Sequence, residues 1–194
     1  MQKYNHLSDQ ELVRLYLAGD NPAFTALVHR HKDRIFTTIV LLVRDKALAE
    51  DFFQEVFIKI INALKSGQYT DNNRFCPWVV RIAHNFCISH FRKAETRHNV
   101  MTSFNDAIGD SMHYMDFSPE QRLITGERYR EIEDMLDRLP AAQREALILR
   151  YYAGLNYREM AQTVGISINT ALGRVRYALM NLRRQMAASE TAMC

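Results

Sequence analysis

The feature that most constrains this chain is its shortage of helix-breaking residues. Seven Gly and four Pro occur in 194 residues, and apolar side chains recur at intervals of three and four over long stretches. That spacing gathers apolar residues on one side of an α-helix. No turn signal of the kind that joins two strands of a hairpin interrupts it. The sequence therefore predicts an all-α protein.

Two helices are predicted in the first 45 residues. Ser8 and Glu11 have the spacing of a capping box for a first helix, which Gly19 ends. A second begins near Pro22, because proline is tolerated in a first helical turn. Its buried stripe is predicted to comprise Phe24, Leu27, Val28, His31, Ile35, Ile39 and Leu42.

The third predicted helix has the clearest pattern. Its broad apolar face comprises Leu48, Phe52, Phe53, Val56, Phe57, Ile60, Ile61 and Leu64. Its other side carries Asp51, Gln54, Glu55 and Lys59. A paired-carboxylate active site at Asp51 and Glu55 is disfavoured, because no nucleophile, metal set or glycine-rich loop accompanies them. We therefore expect no enzymatic activity.

The segment 69–93 combines aromatic, cationic and amide side chains. Pro77 is predicted to open a fourth helix there, with Trp78, Ile82 and Phe86 facing the core. Rings, cations and amides together bind unstacked bases by stacking, charge neutralisation and edge contacts. The candidate residues for this contact are Tyr69, Asn72, Asn73, Arg74, Arg81 and Asn85.

The helical period fades after Ala94, and the stretch 101–121 contains four acidic residues and no Lys or Arg. That composition is typical of a linker. Helices are predicted again over 124–136 and from Pro140 to Gly154. We therefore expect two small helical domains joined by a flexible acidic linker. The expected divisions are a first domain at 1–95, a linker at 96–122 and a second domain at 123–194.

A helix-turn-helix is predicted near the C-terminus. Residues 157–164 form one short helix, Gly165 supplies a left-handed turn, and Ser167 caps a longer helix over about 168–186. Between 160 and 189 there are no acidic residues and four arginines, namely Arg174, Arg176, Arg183 and Arg184. Local positive charge of this kind suits a phosphate backbone. The alternative interpretation is a helical hairpin with solvated arginines.

Cysteine content and hydropathy bear on location and cofactors. Three cysteines, an odd number, fit a reducing compartment better than a disulfide framework. The spacing of Cys76, His84, Cys87 and His90 does not match zinc-binding patterns, so we expect no metal and no cofactor. The first residues lack a signal-peptide pattern, and the most apolar run, 35–43, is too short to span a bilayer. We expect a cytoplasmic protein without membrane insertion.

Several segments resemble the extracytoplasmic-function (ECF) sigma factors of bacterial RNA polymerase. Residues 51–57, Asp-Phe-Phe-Gln-Glu-Val-Phe, resemble the family's segment that binds the polymerase clamp. Residues 78–85, Trp-Val-Val-Arg-Ile-Ala-His-Asn, resemble its minus-ten recognition helix. The C-terminal resemblance rests on Leu139, Pro140, Arg144, Glu145, Tyr151, the segment 157–161, Ile166, Ser167, Thr170 and Arg174.

The resemblance implies a sigma factor that directs core RNA polymerase to specific promoters and assists promoter melting. It assigns polymerase binding to Asp51, Gln54, Glu55 and Phe57. It assigns the minus-ten element to Tyr69, Asn72, Asn73, Arg74, Arg81 and Asn85. It assigns the minus-thirty-five duplex to Ser167, Asn169, Thr170, Leu172, Gly173, Arg174, Arg176 and Tyr177.

The recognition helix departs from the family pattern at Leu172, Gly173 and Tyr177, so the resemblance does not predict the promoter sequence. By the resemblance Arg176 faces the bases, while Arg174 holds phosphate or the domain's own acidic groups. The acidic linker resembles the family segment that threads toward the polymerase cleft, and a separate anti-sigma factor is implied as a partner. The alternative is a stand-alone helix-turn-helix regulator, which would bind duplex DNA without polymerase.

Overall fold

The computed structural model describes residues 2–70, 74–98 and 134–192, with side chains except at 2, 94–98 and 189–192. These residues belong to two compact units, one formed by 2–70 and 74–98 and the other by 134–192. Every regular element within those ranges is helical, as predicted. None of the helices described there is long and apolar enough to cross a membrane.

In the first unit a 3-10 turn, Gln2–Tyr4, precedes helix α1, Asp9–Leu17. The predicted capping box is present. The Glu11 amide donates to Ser8 Oγ at 3.3 Å, and the Ser8 amide donates to Glu11 Oε2 at 2.7 Å. Gly19 follows with φ of 100°, a conformation that favours glycine and ends the helix.

Helix α2, Asn21–Val43, packs against α1, α3 and α4 and is the centre of the first unit. Its predicted stripe is confirmed at Leu27, Ile35 and Ile39, which are buried. The stripe's other members are half-buried, namely Phe24, Val28, His31 and Leu42. The helix ends at Arg44, whose φ of 62° is left-handed.

Helix α3, Lys46–Lys65, begins at Asp45, whose carboxylate accepts a hydrogen bond from the Leu48 amide at 2.9 Å. Four members of the predicted apolar face are buried, namely Phe52, Val56, Ile60 and Leu64, and so is Ala49, which was not among them. The other predicted members are half-buried, namely Leu48, Phe53, Phe57 and Ile61. Asp51, Gln54 and Glu55 are exposed on the other side.

Helix α4, Phe75–His98, differs from the prediction in its inward face. The predicted inward residues Trp78, Ile82 and Phe86 are half-buried. The residues that are buried are Phe75, Cys76, Val79, Val80, Ala83, His84 and Cys87. Pro77 lies inside the first turn, where its missing N–H breaks no helical hydrogen bond, so the helix begins at Phe75. The smaller side chains face α2 and α3, and the larger rings lie at the rim, where Phe86 packs on Phe52 at 4.9 Å.

In the second unit, residues 134–137 are helical and are followed by α5, Ala141–Leu147. A π-helical turn, Ile148–Tyr152, continues α5, and the sequence did not predict it. Gly154 then takes a φ of 72°, at the position where the helix was predicted to end. Helices α6, Tyr157–Val164, and α7, Ile168–Ala192, complete the unit, and α5 and α6 both pack on α7.

Most of the expected linker lies outside the described residues. Helix α4 continues to His98, past the expected boundary at residue 95. Residues 99–122 of the expected linker, together with the first turns of the helix predicted over 124–136, are not described.

Candidate nucleic-acid interface

The turn between α6 and α7 is built as the sequence predicts. Asn156 caps α6: its Oδ1 accepts from the Glu159 amide at 3.0 Å, while Glu159 Oε2 accepts from the Asn156 amide at 2.8 Å. Gly165 takes a φ of 75°. Ser167 Oγ then accepts from the Thr170 amide at 3.0 Å and caps α7. The two helices therefore form a helix-turn-helix in which α7 is the second, recognition helix.

Helix α7 buries Ala171, Val175 and Ala178 and exposes its opposite face. Large apolar side chains stand in that exposed face, with Leu172 at 48% and Tyr177 at 60% exposure. Three further predicted contacts at the start of α7 are exposed, namely Ser167, Asn169 and Thr170. Gly173 is half-buried. The first two turns of α7 thus present polar and apolar groups to an external partner.

Arg174 and Arg176, which lie two residues apart in α7, have different surroundings in the structure. Arg174 is directed toward α5, where its Nη1 lies 3.6 Å from Glu145 Oε2. Arg176 is exposed and borders an open groove. That groove is lined by Tyr157 of α6 and by Leu172, Val175, Arg176, Leu179, Met180 and Arg183 of α7. Of the two roles that the resemblance leaves for Arg174, the structure shows the contact with an acidic group of its own domain.

The exposed side of α3 carries the predicted polymerase contacts Asp51, Gln54 and Glu55. Phe57 is half-buried, and its ring packs on Phe53 at 4.7 Å. Ile58, which the sequence reasoning missed, is 52% exposed in the same row as the carboxylates. Its spacing of four residues from Gln54 and three from Glu55 could have revealed it.

The predicted minus-ten residues lie around the first turns of α4. Arg74, Arg81 and Asn85 are exposed. Tyr69 is half-buried, with its ring 4.7 Å from Trp78 and 5.8 Å from Phe75. Asn72 and Asn73 lie outside the described residues. Two further exposed residues, Ile88 and Arg92, continue the row of Arg81 and Asn85. Arg92 is one of the cations of the segment 69–93, and Ile88 was missed by the sequence reasoning.

Comparison with known proteins identifies both units. The family model for Sigma-70 region 2 matches residues 27–97, and that for Sigma-70, region 4 matches residues 129–186. The RNA polymerase sigma-H factor of Pseudomonas aeruginosa is 30% identical over 171 residues, which cover 86% of this chain and 88% of that protein. The ECF RNA polymerase sigma factor SigW of Bacillus subtilis is 25% identical, covering 87% and 91%. This chain belongs to the ECF sigma factors.

Solved structures of sigma factors share the fold. RpoE from Bartonella quintana, in a complex with the anti-sigma factor NepR, matches with a TM-score of 0.68 and 21% identity over 84% of this chain and 96% of that one. CnrH, in a complex with the cytosolic domain of CnrY, matches with a TM-score of 0.65 and 22% identity over 94% and 99%.

Membership in this family gives the chain its function, which is promoter-specific initiation of transcription by RNA polymerase. Sigma factors are non-enzymatic regulators of transcription. The matched regions of this sigma factor include every candidate residue predicted from the sequence, because 51–85 lies within region 2 and 167–177 within region 4. The stand-alone regulator is therefore not favoured.

A polar network connects the N-terminal helix of this sigma factor to α4. Asp9 of α1 accepts from Arg30 Nη1 at 2.7 Å and lies 2.8 Å from His31 Nε2, both on α2. The His31 ring also lies 5.6 Å from the ring of Phe75, the first residue of α4, and is close enough to Cys76 for this thiol to affect the pKa of His31. The network therefore holds the start of α4, next to the candidate minus-ten residues.

The network changes the protonation of its members. Burial disfavours the charged His31 ring, but the hydrogen bonds and charge of Asp9 and the contact with Cys76 outweigh it and raise the pKa of His31 to about 9. Burial likewise opposes ionisation of Asp9, yet His31 and Arg30 lower its pKa. His31 is thus an imidazolium at neutral pH.

Proposed function

We propose that the two units of this sigma factor divide promoter recognition between them. Residues 1–95 bind core polymerase and the minus-ten element, residues 123–194 bind the minus-thirty-five element, and 96–122 link them. The observation that carries the proposal is the exposed face of α7, where Arg176 stands in a stretch with no acidic residue between 160 and 189. Such a face attracts a phosphate backbone.

Recognition of the minus-thirty-five duplex is assigned to one exposed end of α7. Helix-turn-helix proteins place the N-terminal residues of the second helix against base edges in the major groove. Arg176 is placed to contact guanine, because a guanidinium can bond O6 and N7 together. Arg174 contributes mainly through its contact with Glu145, which fixes α7 against α5. The full proposed set is Ser167, Asn169, Thr170, Leu172, Gly173, Arg174, Arg176 and Tyr177.

Binding to the polymerase clamp is assigned to α3. Asp51, Gln54 and Glu55 supply exposed polar groups, and Ile58 adds an exposed apolar side chain in the same row. Protein interfaces combine apolar contacts with polar groups at their rim, and this row offers both. Phe57 contributes from its half-buried position by supporting the row through its contact with Phe53.

Capture of an extruded minus-ten base is assigned to the start of α4 and the loop before it. The Tyr69 ring packs against the rings of Phe75 and Trp78. Because the ring is already held in place, a base can stack on it with little further loss of side-chain entropy. Arg74 and Arg81 neutralise phosphate, and the amides read base edges. The proposed set is Tyr69, Asn72, Asn73, Arg74, Arg81 and Asn85, and it assists promoter melting by stabilising the separated strand.

A separate anti-sigma factor is proposed as the regulatory partner. Two sigma factors with this fold were solved bound to other proteins, one to the anti-sigma factor NepR and one to the cytosolic domain of CnrY. We also propose that the chain acts in the cytoplasm, where it meets core polymerase, and that it catalyses no reaction itself.

The division is tested by crossing protein variants with promoter variants. The probe is a promoter fragment recovered by wild-type holoenzyme from a randomised library. Arg176→Ala holoenzyme should lose its dependence on the minus-thirty-five sequence and keep its dependence on the minus-ten sequence. Asn85→Ala should show the reverse. Arg14→Ala, an exposed arginine of α1, is the charge-matched control and should keep both dependences. If either variant lost the dependence assigned to the other unit, the division would be wrong.

A further inference from the structure

Gly173 is the sixth residue of α7, past the first helical turn, and has a helical backbone. The glycines at 19, 67 and 165 each take a positive φ, of 100°, 71° and 75°, which explains them by local backbone geometry. Gly173 has no such φ. A Cβ atom built at this position meets no other atom within 4 Å. Neither backbone strain nor packing within the described unit therefore requires a glycine there.

A glycine in a helix interior nevertheless destabilises the helix relative to alanine, because it gives up more backbone freedom on folding. Glycine is favoured despite this effect where another molecule must approach a backbone closely. Since no described atom would contact a side chain at this position, the described part of the unit gives no reason for a glycine, whereas a partner that approaches the helix backbone would give one.

The neighbours of Gly173 indicate the chemistry of that partner. Asn169 lies one turn before it and Arg176 one turn after it, both exposed on the same side of α7. Leu172 and Tyr177 stand beside this row with large exposed side chains. Gly173 is thus a gap in a row of projecting groups that pairs an amide with a guanidinium. The stretch 160–189 has no acidic residue, which suits an anionic partner.

We infer that Gly173 sets the depth at which α7 enters the major groove of the minus-thirty-five duplex. The missing side chain lets base edges come against the helix backbone. Asn169 and Arg176, about 10 Å apart along the axis at 1.5 Å per residue, then reach separate base pairs on either side of this contact. Any side chain at 173 holds the helix away from the groove floor and weakens both contacts together. The inference rests on the proposed function of α7.

The test uses the opposite signs expected for stability and for DNA binding. Gly173→Ala should raise the unfolding midpoint of the second unit by about 4 °C, as expected for a glycine-to-alanine change in a small domain. Circular dichroism measures the transition. Fluorescence of Trp78, the sole tryptophan, reports the unfolding of the first unit, and its midpoint should not change. A lowered midpoint would overturn the inference, because the glycine would then be explained within the fold.

Binding is measured with holoenzyme on the promoter fragment selected by the wild type and on the same fragment with its minus-thirty-five sequence scrambled. Gly173→Ala should weaken binding to the selected fragment by roughly tenfold, and Gly173→Leu by more. Neither change should alter binding to the scrambled fragment or to core polymerase. Equal affinity of wild type, Ala and Leu variants for the selected fragment would overturn the inference. Insensitivity of the wild type to scrambling would instead overturn the proposed function of α7.

Discussion

The functional faces of the two units differ in the charges that they combine. The first unit exposes an acidic row on α3, with Asp51 and Glu55, and two cations at the start of α4, with Arg81 on that helix and Arg74 just before it. The second unit exposes one helix in a stretch with no acidic residue between 160 and 189. The surfaces that we propose for polymerase and for nucleic acid are thus separate in the first unit, whereas for α7 we propose contacts with nucleic acid.

Each unit also has arginines that make contacts within the unit itself. Arg30 bonds Asp9 and the carbonyl of Leu7, whereas Arg174 approaches Glu145. Arg81 and Arg176, two of the arginines proposed to bind DNA, are exposed as Arg30 is, but they differ from it in their proposed partner. The difference shows that an arginine's role depends on which acceptor its own helix places within reach.

The largest expected effect concerns the acidic row. Asp51→Lys with Glu55→Lys should reduce binding to core polymerase by about a hundredfold or more, because two attractive contacts become repulsive. Folding should be unaffected, since exposed charges contribute little to stability. The circular dichroism spectrum of the double variant should therefore match that of the wild type, while the pull-down should recover little polymerase. Asp33→Lys, at an exposed position of α2, is the control. Normal pull-down of the double variant would contradict the assignment of α3.

A second prediction sharpens the contrast between the unpaired strand and the duplex. Tyr69→Ala and Asn85→Ala should impair promoter opening more than initial duplex binding, because stacking and edge contacts form only after the strands separate. Loss of one stacking residue typically costs about 1–3 kcal/mol. Permanganate footprinting of the melted region measures the effect. An undiminished footprint in both variants would show that these residues do not hold the extruded base.

A third prediction compares the two arginines within α7. Arg176→Ala should weaken the preference for the minus-thirty-five sequence, lowering the free-energy difference between preferred and other bases by about 1–3 kcal/mol. Arg174→Ala should leave the preferred sequence unchanged and lower affinity modestly by loosening α7 on α5. Selection from randomised promoters compares them, with Glu145→Gln as a second way to break the Arg174 contact. If the Arg176→Ala variant selected the same promoter sequence as the wild type, with the same stringency, this residue would lie outside the groove.

A fourth prediction is a pH dependence of stability that is confined to the first unit. The pKa of His31 is about 9 in the folded unit, against 6.5 for the unperturbed ring. Its stabilising contribution is complete below pH 6.5 and is lost as pH rises through 9, because the unfolded chain releases the proton first. The groups that face the ring are Asp9, Arg30 and Cys76, and Arg30 stays charged throughout.

Denaturant unfolding monitored by Trp78 fluorescence measures this dependence. The free energy of unfolding should decline between pH 6.5 and 9 in the wild type and change less in His31→Gln. The exposed His29→Gln is the matched control and should behave as the wild type. An equal decline in His31→Gln would assign the pH dependence to other groups.

Much of the fold was predictable because its signals are local. Ser8 with Glu11 and Gly165 with Ser167 act within one helical turn, and the structure confirms both. The inward face of α4 was predicted wrongly. Trp78, Ile82 and Phe86 have helical spacing, but so do the smaller residues around Val79 and Ala83, and packing against α2 and α3 selected the smaller set.

Long-range contacts were less predictable than local signals. The approach of Arg174 to Glu145 joins residues 29 positions apart, so no pattern within one helix reveals it. The π-helical turn at Ile148–Tyr152 likewise follows from how its buried residues pack. The candidate residues, Gly173 among them, came from residue types and from a family resemblance. The exposure of Ile58 and the open space around Gly173 became visible only in the structure.

The most direct test of the account is transcription by core polymerase reconstituted with this chain. Both units should be needed together: the chain should bind core polymerase, and the holoenzyme should produce a defined transcript from a selected promoter. The chain alone should bind the same duplex weakly. Tight, sequence-specific duplex binding by the chain alone, without association with core polymerase or a transcript, would contradict the account.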